Sequence, residues 1–359
     1  MKIVLTIQHL GSGGAEKVAS LVCNYLAREG NDVTIILTSY YLLGVFYELE
    51  KNIKVISLYD HLNAGSSKIK KAKVLKTIIS EINPDVVISF LSHVIALTYS
   101  SIKHLKTKFV VSERNDPSSY PKNKILRILR NKAFKHADGH VYQTEFAKRY
   151  YSRINDEGVV IPNPVTLSCN EKWSDTIQKR KEIIMCGSKK PEKNRVMAYK
   201  AFSIFSKKHN DYVLRIFGES TKNEDANILK ELEISDNVVF EGKNHNWHKE
   251  AINSKMFILT SDFEGMPNSL LEALALQIPC ISTDCPIGGP KELTLEGEKG
   301  VLVKVGDFQE LANKMCLLAE STELCNKLSS ANNDTFENYS IENIGKLWSN
   351  YLKKVINNG

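Results

Sequence analysis

Two carboxylates eight residues apart, Glu264 and Glu272, bracket a turn made of Gly265, Met266, Pro267, Asn268 and Ser269. A carboxylate only accepts hydrogen bonds when ionised, so a pair at this spacing is suited to holding sugar or ribose hydroxyls. The apolar run Met256-Phe257-Ile258-Leu259 precedes the turn. A helical run from Ser269 to Gln277 follows, closed by Pro279 and a second apolar segment at Cys280-Ile281. The order is strand, loop, helix, strand. Backbone N–H groups at the start of such a helix point outward with a positive dipole, which favours anionic or hydroxyl-rich ligands. The plain alternative is a surface helix with two solvated glutamates.

Other residues of chemical interest lie at the ends of apolar runs. Gln8 to Glu16 contains Gly11, Gly13 and Gly14 directly after the first of them. Its Gly-x-Gly-Gly-x-Glu spacing is not that of a dinucleotide fingerprint, and the next strand ends in Thr38-Ser39 without a ribose-binding acid. A glycine loop that lets another group approach the backbone is the better reading. Ser112 to Pro117 places Glu113 and Arg114 at a strand end, where charged groups facing a cleft need a partner. They rank above His93, since a lone histidine after a strand is more often structural. Cys186 to Asn194 carries Ser188, Lys189, Lys190 and Lys193. No Asp-x-Asp cluster is present and the seven cysteines form no Cys-x-x-Cys pair, so neither a metal centre nor a disulfide frame is expected.

The elements that must position these residues repeat a β/α pattern. Strands are expected over 3–7, 33–37, 54–58, 86–90, 109–112 and 140–142, with helices from the glycine loop to Ala27, over Ser67–Ile82 and over Lys122–His136. Val160-Ile161-Pro162-Asn163-Pro164-Val165 is stiff and extended, as a hinge would be. After a polar run, Ser168–Lys181, the pattern restarts: strands over 182–186, 212–217, 238–241 and 256–259, and helices over 195–209, 223–233 and 246–254. The tail from Phe336 to Ile356 spaces Ile341, Ile344, Leu347, Trp348, Tyr351, Leu352 and Val355 as a helix does, so its stripe reads as packing. The class is α/β, with Rossmann-like domains over 1–163 and 164–337 and an interdomain cleft.

Composition narrows the partners. Apolar content of 42% and 25% charged residues fit a soluble protein of two domains, and no run of 18 apolar residues suggests a membrane span. The N-terminus reads as a first strand rather than a signal peptide, and unpaired cysteines fit a reducing cytoplasm. Residues 1–165 hold 23 Lys and Arg against 14 Asp and Glu, a balance of +9, whereas the remainder holds 25 against 27. Lys68, Lys70, Lys71, Lys73 and Lys76 crowd one helix; Lys124, Arg127, Arg130, Lys132 and Lys135 alternate with Ile125, Ile128, Leu129 and Phe134 on another. Such helices suit an anionic membrane surface, the alternative being an ordinary solvated face. Nucleic acid is not an expected partner, because the basic segments lack interleaved exposed aromatics.

The string Glu264-Gly265-Met266-Pro267-Asn268 to Glu272 resembles the signature of family 4 retaining glycosyltransferases of the GT-B fold. The likeness extends over nearly the whole chain, more specifically in its second half: Gly187 to Asn194, Phe217-Gly218, Phe240-Glu241-Gly242 and Asp284 to Glu292 all match family loops. The resemblance implies two lobes with a C-terminal helix, about 338–359, crossing back to the first. It implies that Glu264 and the following amides of Gly265, Met266, Pro267, Asn268 and Ser269 meet the donor sugar, and that Glu272 meets the ribose. Lys193 would clamp the donor diphosphate, Gly13 and Gly14 would lie across the cleft from it, and Gly218 and Glu241 would border the nucleotide.

Two departures stand out. Ser188 occupies the position of the family's diphosphate-binding Arg, leaving Lys189 or Lys190 to supply that charge. Glu113-Arg114 replaces a donor-contacting His, as in the branch that extends lipid-linked glycans, so no His role carries over. The expected reaction is transfer from a nucleotide sugar, as substrate rather than cofactor and most simply a UDP-sugar such as a UDP-hexose or UDP-HexNAc. The acceptor would be a glycan linked to polyprenyl diphosphate, at the inner face of the cell membrane. The resemblance implies attack on the leaving-group side, with the departing phosphate taking the acceptor proton. A nucleotide-sugar epimerase of the same shape and a non-catalytic nucleotide-sugar-binding subunit are the competing readings.

Overall fold

The computed structural model describes all residues except 40–43, 64, 155–156, 175–178, 219–221, 245–246 and 359. Part of the expected polar run and the first residue of the helix expected over 246–254 therefore lie outside the described residues. The chain divides into two compact units, Met1–Pro164 with Tyr339–Gly359, and Val165–Asn338.

In the first unit, Val- and Ile-rich runs form β1 (Lys2–Ile7), β2 (Asp32–Leu37), β3 (Lys54–Ser57), β4 (Val86–Phe90), β5 (Lys108–Ser112), β6 (Gly139–Tyr142) and β7 (Val159–Val160). Between them run α1 (Gly14–Arg28), α2 (Lys68–Ile82), α3 (Ser92–Ile102), α4 (Lys124–His136) and α5 (Glu145–Tyr151). The strands pair in parallel in the order β3-β2-β1-β4-β5-β6-β7, with Ile3 opposite Val33 on one side and Val86 on the other. Every residue of β4 is buried, as expected of a parallel strand covered on both faces. Helices α3 and α5 were not foreseen: α3 mixes small polar residues among its apolar ones without a clear amphipathic period, and α5 is only seven residues long. Helix α3 packs between α2 and α4.

The second unit repeats the scheme with β8 (Arg180–Cys186), α6 (Arg195–Ser206), β9 (Val213–Phe217), α7 (Lys222–Glu231), β10 (Val238–Gly242), α8 (Trp247–Ala251), β11 (Ser254–Leu259), α9 (Asn268–Ala275), β12 (Cys280–Thr283), α10 (Gly289–Leu293) and β13 (Val301–Val303). Helices α11 (Phe308–Glu320), α12 (Thr322–Ser330) and α13 (Thr335–Asn338) complete it. Its parallel order is β10-β9-β8-β11-β12-β13.

The last helix, α14 (Ile341–Asn357), returns to the first unit. Ile344, Trp348, Leu352 and Val355 join the core formed by α1 and the sheet. A Cβ on Gly345 would fall 2.3 Å from the Tyr25 ring, so this glycine sets how closely α14 approaches α1. Truncating the fully buried Trp348 to Ala would cost about 3–5 kcal/mol.

The basic stretch of α4 divides in a way that helical spacing alone did not show. Arg130 is fully buried and donates to the carbonyls of Pro117 and Tyr120, and Arg127 donates to those of Pro121 and Ser118. Arg130 is thus withdrawn from the surface, and the half-buried Arg127 is engaged by the 117–121 loop. The apolar residues Ile125, Ile128 and Leu129 point outward instead, 69%, 66% and 39% exposed, beside exposed Lys124, Lys132 and Lys135. Among the described residues no helix is long and apolar enough to cross a membrane.

Candidate active site at the carboxyl edge of the second sheet

Open parallel sheets bind ligands beyond the carboxyl ends of their strands, where the strand order reverses. In the second unit that point lies between β8 and β11, whose onward connections lead to β9 on one side and β12 on the other. The loop after β8, 187–194, and the loop after β11, 260–267, are stitched together there. Asp262 N–H donates to the Glu192 carbonyl at 2.8 Å, and Asn194 Nδ2 to Asp262 Oδ1 at 2.6 Å. Thr260 Oγ1 donates to the carbonyls of Lys193 and Asn194 at 3.0 and 3.1 Å. Asn194 adopts left-handed backbone (φ 43°) and caps α6, so the chain turns sharply just after Lys193.

On this frame Lys193 Nζ donates to Glu264 Oε1 at 2.5 Å, and Ser261 Oγ donates to the same oxygen at 2.7 Å. The two charged side chains keep 22% and 14% of their surface exposed. A cation and a carboxylate are thus held together and open to a ligand. Thr283 Oγ1 holds the Ser261 carbonyl at 2.6 Å. On the other side, a Cβ on Gly289 would fall 1.7 Å from the Gly265 carbonyl oxygen, so the loop after β12 supports the turn backbone to backbone. Gly265, Met266 and Pro267 are buried, while Asn268 and Ser269 are half-buried at the start of α9, which has no side-chain cap.

Glu272 lies one turn into α9 and is only 5% exposed. Its Oε2 is 3.1 Å from Nε2 of the buried His248. The loops after β8 and β9 also touch directly: Gly218 has φ 135°, and a Cβ there would lie 2.0 Å from the Gly187 carbonyl oxygen. Ser188 is half-buried, with Lys189 and Lys190 exposed beyond it. Arg195 does not fill the missing arginine's place as a ligand group. It is buried, donates to the Gly187 carbonyl at 3.2 Å and pairs with Asp225 at 3.6 Å.

Three expected site residues are turned to internal work. Glu241 Oε1 accepts from Arg215 Nε and Nη2 at 2.9 and 2.7 Å, within a network that includes Glu182 and Glu250, so one of its oxygens is engaged by the sheet. Glu113, 1% exposed, accepts from Ser92 Oγ (2.5 Å) and Tyr151 OH (3.2 Å) on one oxygen. Its other oxygen accepts from the N–H groups of Arg114 (3.0 Å) and Asn115 (3.3 Å). Burial pushes this carboxyl above its ordinary range, with the hydrogen bonds from Ser92, Arg114 and Asn115 and the Arg130 charge opposing. Arg114, 6% exposed, donates to Asn163 Oδ1 at 2.9 Å, with its guanidinium over the rings of Phe90 and Trp348. Both residues therefore help to organise the first unit. At Gly13, the N-cap of α1, a Cβ would collide with the Glu16 carboxylate, which folds back over the helix start beside Gly14.

His248, Ser261, Asn194 and Arg195 were not singled out from the sequence. Asn194 followed the matched Lys193 and carried a signal, and Ser261 bonds Glu264 three residues on; His248 takes its role from partners distant in the chain. Among the described residues His209, Cys316 and Glu320 lie close enough to share an ion. His209 precedes β9, which puts this group at the opposite edge of the sheet from the loops above.

Two family models match in succession, Glycosyltransferase Family 4 over residues 12–168 and Glycosyl transferases group 1 over residues 170–335. A Campylobacter jejuni protein, GalNAc-alpha-(1->4)-GalNAc-alpha-(1->3)-diNAcBac-PP-undecaprenol alpha-1,4-N-acetyl-D-galactosaminyltransferase, is 29% identical over 99% of both chains. Among solved structures, sucrose-phosphate synthase from Thermosynechococcus elongatus superposes with TM-score 0.86 at 13% identity, covering 100% of each chain. Anabaena HepE in complex with UDP-glucose gives 0.80 at 14%, covering 99% of this chain and 100% of that one. With two Rossmann-like units, a returning terminal helix and matching models along both halves, the chain belongs to the family 4 glycosyltransferases of the GT-B fold.

Proposed function

We propose that this glycosyltransferase moves a sugar from a UDP-sugar to a glycan carried on polyprenyl diphosphate, with retention of configuration and without a metal ion. The observation that carries the reading is the Lys193–Glu264 pair at the reversal point of the second sheet. Glu264 would accept from hydroxyls of the donor sugar, and Lys193 would face the diphosphate. As the bond from the anomeric carbon to the diphosphate oxygen breaks, charge develops on that oxygen; a preorganised cation and the start of α9 stabilise it. The acceptor oxygen bonds to the anomeric carbon on the same face and its proton passes to the departing diphosphate. Glu272 would hold the ribose, and the second unit as a whole would take the donor.

The acceptor class is supported by the Campylobacter jejuni relative, whose name specifies an undecaprenyl-diphosphate-linked glycan, and the donor by HepE, solved with UDP-glucose. A place at the inner membrane face is supported by the outward Ile125, Ile128 and Leu129 among exposed lysines of α4. On α2, Ile69 is likewise 72% exposed, between exposed Lys68 and Lys70. Both helices flank α3, so they share one layer of the first unit.

The test is transfer from a panel of UDP-sugars to polyprenyl-diphosphate-linked glycans in the presence of EDTA, with the anomeric configuration of the product read by NMR. One donor should support transfer, giving a product of the donor's configuration. A requirement for magnesium or manganese, or an inverted product, would overturn the mechanism.

A further inference from the structure

We propose that His248 is the residue that positions Glu272, and that it thereby sets how strongly the enzyme reads the ribose of its donor. The inference rests on the ribose reading of Glu272 given above. His248 lies on α8, is 3% exposed, and its two ring nitrogens face different partners. The Ser168 backbone N–H points at Nδ1 at 3.1 Å, with Ser168 Oγ at the same distance. A backbone N–H can only donate, so Nδ1 must be the accepting nitrogen and the ring proton must sit on Nε2. Nε2–H then donates to Glu272 Oε2 at 3.1 Å. A histidine doubly protonated would set two N–H groups against each other at Ser168.

The ring itself has little room to turn. Trp247 packs against it with ring centroids 4.6 Å apart, and Trp247 in turn lies against Phe257 of β11. Glu272 has three side-chain torsions and stands in a nearly closed position, so a fixed donor on one oxygen selects its rotamer. A carboxylate offers about four lone-pair sites, so accepting from His248 leaves capacity for hydroxyl donors. Ser168 and His248 are 80 residues apart in sequence, and Glu272 is another 24 on. The relay therefore joins the start of the second unit to the helix that carries the site.

The experiment compares binding of UDP and 2′,3′-dideoxy-UDP to the full chain by calorimetry. Wild type should prefer UDP by roughly 10- to 100-fold, the loss expected when hydrogen bonds to a charged acceptor are removed. In His248→Ala that ratio should fall close to one, through weaker UDP binding with the analogue unchanged, and KM for the donor should rise more than kcat falls. His248→Gln, whose amide N–H reaches towards Glu272, should recover most of the ratio. His248→Asn can satisfy Ser168 but not Glu272, so it should fold and still lose the ratio, which keeps the test decisive if the Ala variant is unstable. An undiminished ratio in His248→Asn would overturn the positioning role while leaving the ribose reading intact. Failure of the wild type to bind UDP, or equal binding of the two nucleotides, would remove the ribose reading and this inference with it.

Discussion

At the carboxyl edge of the first sheet, Glu113 sits 1% exposed with four internal donors around its two oxygens. At the carboxyl edge of the second, Glu264 keeps 14% of its side chain exposed and shares one oxygen between Lys193 and Ser261. Both are glutamates just after a parallel strand. The first is enclosed by α3, α5 and its own loop, and the second stands where two loops part. A carboxylate saturated by internal donors holds backbone in place, whereas one held by a single cation and a hydroxyl can exchange those bonds with a ligand. The difference separates an edge filled by internal donors from the one proposed to react, although a sequence shows the same residue type at both.

The largest effect should come from breaking the reacting edge. Lys193→Ala and Glu264→Ala should each lower turnover by about 10²- to 10³-fold, the scale for losing one preorganised group at a developing charge. Because the two side chains touch, the double variant should lose less than the product of the single losses. Melting temperature should move little, since the pair is partly solvated. Near-normal turnover in either single variant, measured in steady state with the accepted donor, would erase the contrast between the two edges.

Glu113→Ala should instead act on stability. It leaves two hydroxyls and two backbone N–H groups without their buried acceptor, at about 1–3 kcal/mol for each group that water cannot reach. The expected loss is about 2–4 kcal/mol, read by chemical denaturation, with turnover per folded molecule retained. Burial raises this carboxyl's pKa, so the folded state holds its proton more tightly than the unfolded chain does. Stability from this site is therefore lost as pH rises from the ordinary carboxylate range through the raised value, and Glu113→Gln should flatten that slope. A Glu113→Gln enzyme that is stable but inactive would return Glu113 to the reaction.

The fold was largely legible because parallel strands buried on both faces are written as continuous apolar runs, and the loops between them carry glycine and proline. The places of Lys193, Glu264 and Glu272 in strand-end loops and at a helix start were legible, because the strand–loop–helix pattern fixes them. The internal partners of Glu113, Arg114 and Glu241 were not legible for one reason: a charged residue at a strand end can face inward as readily as outward, and its partner is named only by the fold. Arg215, the partner of Glu241, belongs to the neighbouring strand. His248 was invisible because its two partners lie 80 residues before and 24 after it. On α4 the basic and apolar residues were seen, but which of them turn outward was not; Arg130 lies inside and Ile128 outside, against the usual preference.

That reversal leads to the smallest expected effect and a sharper form of the membrane reading. Arg127 and Arg130 hold the 117–121 loop through its carbonyls, so replacing them would test stability rather than lipid binding. The informative groups are two. Lys124, Lys132 and Lys135 are exposed cations, each worth about 1 kcal/mol near an anionic surface and screened over about 10 Å at 0.1 M salt. Ile125 and Ile128 are exposed apolar groups whose burial among lipids would not weaken with salt. In co-sedimentation with anionic liposomes, changing the three lysines to Gln should remove the salt-sensitive part of binding, and Ile125→Asp with Ile128→Asp the remainder. UDP affinity should be unchanged in both, because α4 belongs to the first unit and the nucleotide is assigned to the second. Wild-type pelleting that is equal on neutral liposomes, or absent on anionic ones, would leave this face as plain solvated surface and make a soluble acceptor the better reading.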